Sequence, residues 1–439
     1  MITENEQKFL MERQMRTILH SDMNNCYASI ELLHHPEFRG RPLAVGGDPE
    51  ARHGIVLAKD QLAKAAGVKT GMALWQARQV CPDIVFVPPR MELYLRFSRL
   101  AREIYAEYTD CQEAFGVDES WLDVTYSSRC RGDGLSIARE INARVKDELG
   151  ITVSIGVSWN KIFAKFGSDY KKPDAITVID RDNYRDIVWT KPAEDLLYVG
   201  RSTRVRLNRA GIFTIGDIAR SDPEYLHRLL GKMGYVLHMF ATGEDQTPVN
   251  NESYEVPVKS IGNSTTTPRD LVCDQDVKII IYVLAESVSA RLRENNFRCN
   301  VVEISVRDNG LFTYTKQTKI ERSTDITEEI AVVAYGLFRA SYDWHSPIRS
   351  VGVRACDLVE STVPVQLDMF SDEDMRQKKH DLDQTIDEIR NRFGYRSVQR
   401  GMMYLDRSLS SLNAKEDNTV HPHSYFEDGN RTGSDRYGT

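Results

Sequence analysis

The sequence predicts an α+β fold that is divided among several domains. Its 439 residues exceed the roughly 100–200 that one domain usually needs. Residues 17–180 mix strand and helix patterns without a strict βαβα alternation, which favours an α+β layer over a doubly wound sheet. Residues 186–248 have the pattern of short helices with glycines, and residues 254–360 follow the order β-α-β-β-α-β. Three stretches of different pattern therefore predict a multi-domain chain.

The elements of the first stretch follow from periodicity and turn residues. After a polar N-terminal arm, a strand is expected at 17–23 and a helix at 26–33, and the many Gly and Pro residues of 36–89 predict a small sub-domain. Apolar spacing of three and four then indicates helices, and alternation indicates strands. The predicted order is a helix at 92–108, a hairpin at 115–124, a helix at 135–149 that ends at Gly150, and a strand at 152–158.

The later elements are separated from the first by a Pro- and Asn-bearing linker at 247–257. Within the β-α-β-β-α-β unit, Asn309-Gly310 predicts a two-residue hairpin turn between its two central strands. The other predictions are a helix at 275–296, a strand at 351–355, an amphipathic helix at 382–393 that ends at Gly394, and a polar end from about residue 408 that we expect to be disordered.

Composition excludes some classes of protein. No apolar run approaches the roughly 18 residues that span a bilayer, and the N-terminus lacks the apolar core of a signal peptide. Seven dispersed cysteines without a C-x-x-C pair argue against a disulfide framework and a structural zinc site, and favour the cytoplasm. The net charge of −7 does not exclude a local basic surface, because four arginines and no acid lie between residues 196 and 216.

Three carboxylates are the candidates for chemistry. Asp22 falls at the end of the first strand, and Asp118 and Glu119 fall in the predicted hairpin. If they converge, each raises the pKa of its neighbours, and a pair of divalent cations would remove that cost. Carboxylates are hard-oxygen ligands that suit Mg²⁺, so the cluster indicates phosphoryl or nucleotidyl transfer. On spacing alone, surface charges in a hairpin and a turn are the simpler interpretation.

Three longer strings carry a family resemblance. HSDMNNCYASIE at 20–31, GVDESWLD at 116–123 and IGVSWNKIFAK at 155–165 strongly resemble, in order and spacing, the signature segments of Y-family translesion DNA polymerases. The resemblance covers about residues 17–400 and implies a multi-domain right-hand polymerase. The domains it implies are a palm (1–25 and 90–185), small fingers (26–89), a helical thumb with a helix-hairpin-helix (186–246), a little-finger DNA-binding domain (254–360), and a C-terminal part with a clamp-binding peptide, a helix and a tail (361–439).

The resemblance also implies roles at the active site. Asp22, Asp118 and Glu119 would bind two Mg²⁺ ions together with the Met23 carbonyl, with Glu119 nearest the primer 3′ hydroxyl. Tyr27 would be the steric gate, whose ring clashes with a ribose 2′ hydroxyl, although a core aromatic residue is the alternative.

The triphosphate would be bound by residues of two segments. The backbone amides of Cys26 and Tyr27 begin a helix, where unsatisfied N–H groups bind phosphate. Lys161 matches the family's triphosphate lysine. In the fingers, where many relatives have Tyr and Arg, this chain has Gln61 and Lys64, so Lys64 is carried over, with Lys59 as the alternative.

Two further segments would bind DNA and a protein partner. Residues 197–218 resemble a helix-hairpin-helix that grips a DNA phosphate through Gly200, Arg201, Thr203 and Arg204, with Tyr198 where the motif usually has its first Gly. Residues 366–370 resemble a sliding-clamp-binding peptide through Gln366, Leu367, Met369 and Phe370, or else anchor the following helix.

The sequence therefore predicts a low-fidelity, template-directed DNA polymerase of the cytoplasm. Its partners would be primer–template DNA, deoxynucleoside triphosphates and a sliding clamp, with no membrane and a monomeric chain. A catalytically silent, clamp-tethered DNA-binding protein is the alternative, favoured only if the carboxylates were absent. A nucleotidyl cyclase would fit the acids but not the helix-hairpin-helix or the clamp peptide.

Overall fold

The computed structural model describes residues 16–47, 54–251, 257–364 and 373–412. They form two compact units, the first built from residues 16–46 and 56–251 and the second mainly from residues 257–364 and 373–412. The division falls within the stretch for which the sequence predicts a linker. In these ranges, no helix has the length and apolar content needed to cross a membrane.

The first unit contains eight labelled strands and eleven labelled α-helices within its described residues. The strands are β1 (Ile18–Met23), β2 (Leu43–Gly46), β3 (Val56–Lys59), β4 (Val85–Val87), β5 (Gln112–Phe115), β6 (Glu119–Asp123), β7 (Val153–Ser158) and β8 (Ile176–Val178). The helices are α1 (Cys26–His34), α2 (Gln61–Ala65), α3 (Leu74–Val80), α4 (Met91–Ala106), α5 (Ser128–Arg131), α6 (Gly134–Leu149), α7 (Lys161–Tyr170), α8 (Arg201–Arg209), α9 (Ile215–Arg220), α10 (Pro223–Leu230) and α11 (Lys232–Thr242).

A five-stranded sheet organises the first unit. Its order is β5-β6-β1-β7-β8, antiparallel except for the parallel pair β7 and β8. Every residue of β1 and of β7 is buried, as expected for central strands. β1 nevertheless carries His20, Ser21 and Asp22, whose polar groups need partners in a buried strand. This strand therefore brings functional groups into the interior.

Helix α7 packs unusually close to β7. A Cβ atom on Gly156 would lie 1.9 Å from the Ala164 carbonyl oxygen, so only glycine permits this approach. The helix begins at Asn160, whose side-chain oxygen accepts a hydrogen bond from the Phe163 amide at 2.8 Å. The close packing brings the side chains of α7 against the end of β1.

A smaller three-stranded sheet, in the order β3-β2-β4, lies between α1 and α4 in sequence. Helix α2 begins at Asp60, whose carboxylate accepts the amides of Ala63 and Leu43 at 2.8 and 3.1 Å. Helix α3 buries Leu74 and Ala77 one turn apart, so its other positions face solvent. This small sheet with short helices agrees with the compact sub-domain predicted for residues 36–89.

The second unit is a four-stranded antiparallel sheet in the order β11-β10-β12-β9. Its elements are β9 (Ser260–Leu271), α12 (Asp274–Glu294), β10 (Phe297–Asp308), β11 (Thr313–Thr324), α13 (Thr327–Ser341), β12 (Ile348–Glu360), α14 (Glu373–Phe393) and α15 (Arg407–Ser410). This is the predicted β-α-β-β-α-β order, followed by C-terminal helices. The two units together bear out the α+β class.

The turn between β10 and β11 differs from the prediction. Residues 309–312 form the connection, so it contains four residues rather than the two expected from Asn309-Gly310. Leu311 has a φ of 69°, and the Asp308 carboxylate accepts the Phe312 amide at 2.9 Å. This side-chain hydrogen bond stabilises a longer turn that the Asn-Gly pair does not reveal.

The C-terminal part is fixed to the second unit by buried charges. The Glu286 carboxylate of α12 is 2.9 Å from both Arg390 and Arg400. Asp383 of α14 accepts the Thr327 amide at 2.7 Å, and Arg269 pairs with Asp276 and Asp406. Order continues past residue 408, where disorder was expected, because α15 buries Leu409. Residues 413–439 lie outside the described chain.

Candidate active site

Three carboxylates meet where β1 and β6 adjoin. Asp22 lies opposite Glu119 in the antiparallel register, and the Met23 amide donates a hydrogen bond to the Asp118 carbonyl at 2.9 Å. Asp22 is almost fully buried. Two strand segments about a hundred residues apart in sequence thus bring the three predicted acids to one place.

Two lysines offset part of the negative charge of this cluster. Lys165 Nζ is 2.6 Å from Glu119 Oε2 and 3.9 Å from Asp22 Oδ2. Lys172 Nζ is 2.6 Å from Asp22 Oδ2. Asp169 lies between the two ammonium groups, at 3.2 Å from Lys165 and 2.7 Å from Lys172.

The pKa values of the three acids reflect their burial and mutual repulsion. Burial raises the pKa of Asp22, and the Lys172 charge offsets only part of this rise. Burial and the neighbouring Glu119 raise the pKa of Asp118 to about 6. Burial also favours neutral Glu119, but His20 and Lys165 outweigh it and lower the Glu119 pKa. A further cation at this point would be favoured electrostatically.

The donor set fits a hard divalent cation. Glu119 Oε2 is buried and accepts no well-oriented hydrogen bond, although Lys165 is close. Carboxylate and carbonyl oxygens are the ligands that Mg²⁺ prefers. Within the residues that the structure describes, no three acidic, histidine or cysteine side chains already converge in a metal-binding arrangement. Ion pairs with Lys172 and Lys165 hold Asp22 and Glu119 in their present positions.

His20 is a buried neighbour of the cluster that the sequence prediction did not include. Its Nδ1 lies 2.8 Å from Ser168 Oγ, and its Nε2 lies 3.2 Å from Glu119 Oε2. Burial lowers the His20 pKa to about 4, so the ring is neutral at pH 7. The ring packs edge-on against Trp121, at 5.1 Å between ring centroids.

Tyr27 lies on the first turn of α1, next to the acids. Its ring is stacked on Tyr94 with 4.3 Å between centroids and 10° between planes. Tyr94 is fully buried, and its hydroxyl donates to Glu31 Oε1 at 2.6 Å. Arg90 binds both oxygens of the same Glu31 carboxylate. The Tyr27 ring is therefore supported from behind by a fixed aromatic residue.

Helix α1 begins without a side-chain cap. Its N-cap residue, Asn25, has a φ of 50°, and its side chain accepts no hydrogen bond from the first turn. The amides of Cys26 and Tyr27 belong to this turn, beside the carboxylates. Such N–H groups can bind an anion.

The two lysines assigned to the triphosphate, Lys64 and Lys161, and the alternative Lys59 have different surroundings. Lys64 is exposed on α2, whereas Lys59 Nζ donates a hydrogen bond to Thr70 Oγ1 at 3.0 Å. Lys161 is buried, with Nζ 2.6 Å from Glu113 Oε1 and 4.4 Å from the centroid of the Trp121 ring. The structure thus puts Lys161 against Glu113, and it puts Lys165 and Lys172 against the three acids.

The chain matches two family profiles. Residues 21–169 match the impB/mucB/samB family, and residues 258–369 match the C-terminal domain of that family. A DNA polymerase IV of Acetivibrio thermocellus is 52% identical over 397 residues, which are 90% of this chain and 100% of that protein. The DNA polymerase IV 1 of Bacillus subtilis is 35% identical over 424 residues, covering 95% and 99%.

Solved structures agree with these relatives. A Y-family DNA polymerase chimera of Dbh and Dpo4 superimposes with a TM-score of 0.69 at 26% identity, covering 78% of this chain and 99% of the chimera. The chain belongs to the Y family of DNA polymerases. The predicted family and the predicted α+β polymerase fold are thereby confirmed.

Residues 197–218, for which the sequence predicts a helix-hairpin-helix, contain an uncommon turn residue. Tyr198, at the position of the motif's first glycine, has a φ of 70° and an exposed ring. Gly200 precedes α8, and a Cβ added there would meet no atom within 4 Å, so the backbone is open to approach. Arg201 is exposed, whereas Arg204 is paired with Glu194. Thr203 lies in the first turn of α8.

The predicted clamp-binding residues Gln366, Leu367, Met369 and Phe370 lie outside the described residues. Their role stays a prediction. Residues of the described chain on either side line one cavity of about 330 Å³ in the second unit, among them Val363, Pro364, Glu373, Arg376 and Gln377.

The sequence analysis missed three side chains that the structure brings to the acids: His20, Lys165 and Lys172. All three lie in or just beyond the strings that carry the family resemblance. The helical spacing of Lys165 and Asp169, one turn apart on α7, was a usable signal for a charged face. Nothing in the local pattern shows that this face is directed at β1 rather than at solvent.

Proposed function

We propose that this chain performs low-fidelity translesion synthesis by nucleotidyl transfer with two Mg²⁺ ions. Membership of the Y family makes it a DNA-directed DNA polymerase. The observation that supports the two-metal proposal is that Asp22, Asp118 and Glu119 lie at neighbouring strand ends, where two lysines offset only part of their charge.

The metal ligands would be the three carboxylates and the Met23 carbonyl. Bound Mg²⁺ would lower the pKa of the attacking primer hydroxyl and would neutralise charge on the triphosphate. Glu119 lies nearest the primer terminus in this proposal, and its carboxylate pairs with Lys165, with His20 Nε2 3.2 Å away. Asp118, to which no described side chain donates a hydrogen bond, is free to turn toward a cation.

Phosphate binding falls to groups that surround the acids. Lys172 and Lys165 would exchange their carboxylate partners for phosphate oxygens once the carboxylates bind metal. We propose this role for Lys172 and Lys165 in addition to Lys161, and each of the three would leave a carboxylate partner to reach a phosphate. The amides of Cys26 and Tyr27 would bind the triphosphate from the start of α1, and exposed Lys64 would do so from the fingers.

Tyr27 would exclude ribonucleotides as the steric gate. Its ring cannot retreat easily, because fully buried Tyr94 lies directly behind it. A 2′ hydroxyl that overlaps the ring would meet a packed pair of aromatic residues rather than a mobile side chain.

We also propose the family's domain division for the observed elements. The five-stranded sheet would be the palm, the three-stranded sheet the fingers, helices α8–α11 the thumb and the second unit the little finger. Gly200, Arg201, Thr203 and Arg204 would grip a DNA phosphate from the thumb. The small size of the fingers supports weak geometric selection of the incoming nucleotide, and hence low fidelity.

A sliding clamp would bind residues 366–370 while the chain works as a cytoplasmic monomer. Deleting these five residues should abolish stimulation of synthesis by the clamp and leave distributive primer extension unchanged. Unchanged clamp binding after the deletion would remove this assignment.

The two-metal proposal is tested by primer extension with Mg²⁺ on undamaged and abasic templates. Asp118→Asn should lower kcat/KM at least about 100-fold, because a metal ligand contributes several kcal/mol to the transition state. Asp110→Asn is the matched control, an exposed aspartate on the loop before β5. Equal extension by Asp118→Asn and the control would reject the assignment, and failure to copy past the abasic site would reject translesion synthesis.

A further inference from the structure

We propose that Trp75 is a stacking platform for an unpaired template base ahead of the active site. The inference rests on the proposed function, because it requires primer–template DNA to be bound at the three acids. It concerns a helix face in the fingers that the three acids, Tyr27 and the triphosphate lysines do not use.

Trp75 is the tryptophan that the fold leaves in solvent. Its side chain is 63% exposed, whereas Trp121 and Trp159 are buried. Trp189 and Trp344 are partly buried, and their ring N–H groups donate hydrogen bonds to Ala241 and Asp274. A partner that covers the large ring of Trp75 would remove its apolar surface from water, which is favourable.

The way α3 packs explains this exposure. Leu74 and Ala77 are buried on the inner side of the helix. Trp75 lies outside that buried face, and Arg78 lies one turn beyond it, with its guanidinium carbon 5.3 Å from the centroid of the Phe86 ring. The outer side of α3 therefore carries the exposed Trp75 ring and the Arg78 guanidinium, which packs over the Phe86 ring.

The charge of the surrounding segment identifies the partner. Residues 61–82 contain no acidic residue, while Lys64, Lys69 and Arg78 are all exposed. Lys59 Nζ lies next to the same segment, bonded to Thr70. In a chain whose net charge is −7, this basic segment without acids favours a polyanion over an ordinary protein partner. An aromatic platform beside spaced cations is the arrangement that binds single-stranded nucleic acid.

The unpaired template is the single strand that this polymerase meets. The fingers already carry Lys64, which the proposed function puts at the incoming triphosphate. A base stacked on Trp75 would hold the template strand extended before it reaches the active site. Stacking does not depend on base identity, so the platform would accept damaged and undamaged bases alike.

The test compares binding of the native protein and its variants to primer–template DNA with and without a 5′ template overhang. The overhang should quench native tryptophan fluorescence, and Trp75→Phe should abolish the quenching while retaining most of the affinity. Trp75→Ala should lower affinity for overhang DNA by about 5- to 150-fold, the value of one stacked base. Binding of blunt duplex should not change. Val80→Ala, which truncates another exposed apolar residue of α3, is the control.

Equal affinity of native protein and Trp75→Ala for overhang DNA would overturn the proposal. So would an equal loss for blunt and overhang DNA, since that would indicate a general effect on binding. Extension of the same primers by the native protein is measured in parallel. If the native protein extends them and Trp75→Ala binds the overhang normally, only the stacking platform fails, whereas no extension by the native protein rejects the proposed function itself.

Discussion

Replacing Tyr27 by alanine should relax the choice of sugar. The expected change is an increase in ribonucleotide incorporation, measured as the ratio of kcat/KM for a ribonucleoside triphosphate to that for the matching deoxynucleotide. The reason is steric: the ring stacks at 4.3 Å on Tyr94, which is fully buried and bonded to Glu31.

The magnitude follows from how firmly that ring is held. Forcing an extra hydroxyl into a well-packed site costs about 1–3 kcal/mol. Removing this cost should raise the ratio by about 5- to 150-fold in Tyr27→Ala. Tyr126→Ala, an exposed tyrosine of the same unit, should leave the ratio unchanged.

Tyr94 provides a graded second test. Tyr94→Met fills the space but removes the aromatic stack, which is worth about 0.5–1.5 kcal/mol, so the ratio should rise about 2- to 12-fold. Tyr94→Phe keeps the stack and loses only the hydrogen bond to Glu31, so its ratio should stay near the native one. The reasoning is refuted if Tyr27→Ala leaves the ratio at the native value, or if Tyr94→Met and Tyr94→Phe behave alike.

Three other predictions concern charges that the fold brings together. Lys172→Met should reduce kcat/KM for the incoming nucleotide about 10- to 150-fold in steady-state kinetics, because a hydrogen bond to a charged group has about this value. Lys171→Met, at an exposed lysine, is the control and should leave kcat/KM unchanged. Equal effects of the two substitutions would show that the assignment of Lys172 is incorrect. Hydrogen bonding by Ser408 and the charge of Arg269 lower the pKa of Asp406 to about 2, so its contribution to folding is present above pH 4 and is lost as the pH falls from about 4 to 2. Asp406→Asn should therefore be less stable than the native protein at pH 7, by about 1 kcal/mol given the exposure of Arg269, and the difference should vanish near pH 2 in urea titrations. Glu286→Gln leaves Arg390 and Arg400 without their buried carboxylate, so it should lower the free energy of unfolding of the second unit by about 3–5 kcal/mol. An unchanged midpoint of urea unfolding would show that other contacts hold the C-terminal helix.

Much of the fold was predictable because it depends on local patterns. The helix that ends at Gly150 follows from three-and-four spacing and a glycine with a φ of 70°. The three acids were identified from the sequence segments that carry the family resemblance. The strand and the hairpin predicted around them correspond to β1 and to β5 and β6. Asp22 and Glu119 face one another because β1 and β6 pair in antiparallel register.

Which side chains meet the acids depends on packing between distant segments. Lys161 and Lys165 lie one turn apart on α7, and the sequence does not distinguish which of them faces the acids. The choice depends on how α7 packs on β7 at Gly156, a contact between residues that the chain brings together only on folding. The β10–β11 turn was misjudged for a similar reason, because the Asp308 side chain, not the Asn-Gly pair, stabilises it.

By itself the sequence determined the family, the α+β class and the three acids, because each is encoded by short segments whose order and residue types are visible along the chain. The tertiary structure decided which cations meet those acids, that His20 lies against Glu119, and that Tyr94 supports Tyr27. It also left Trp75 exposed to solvent, whereas the other tryptophans are buried or donate a hydrogen bond through the ring N–H group. These are outcomes of packing between distant segments, and packing depends on distances and exposure that no local pattern records.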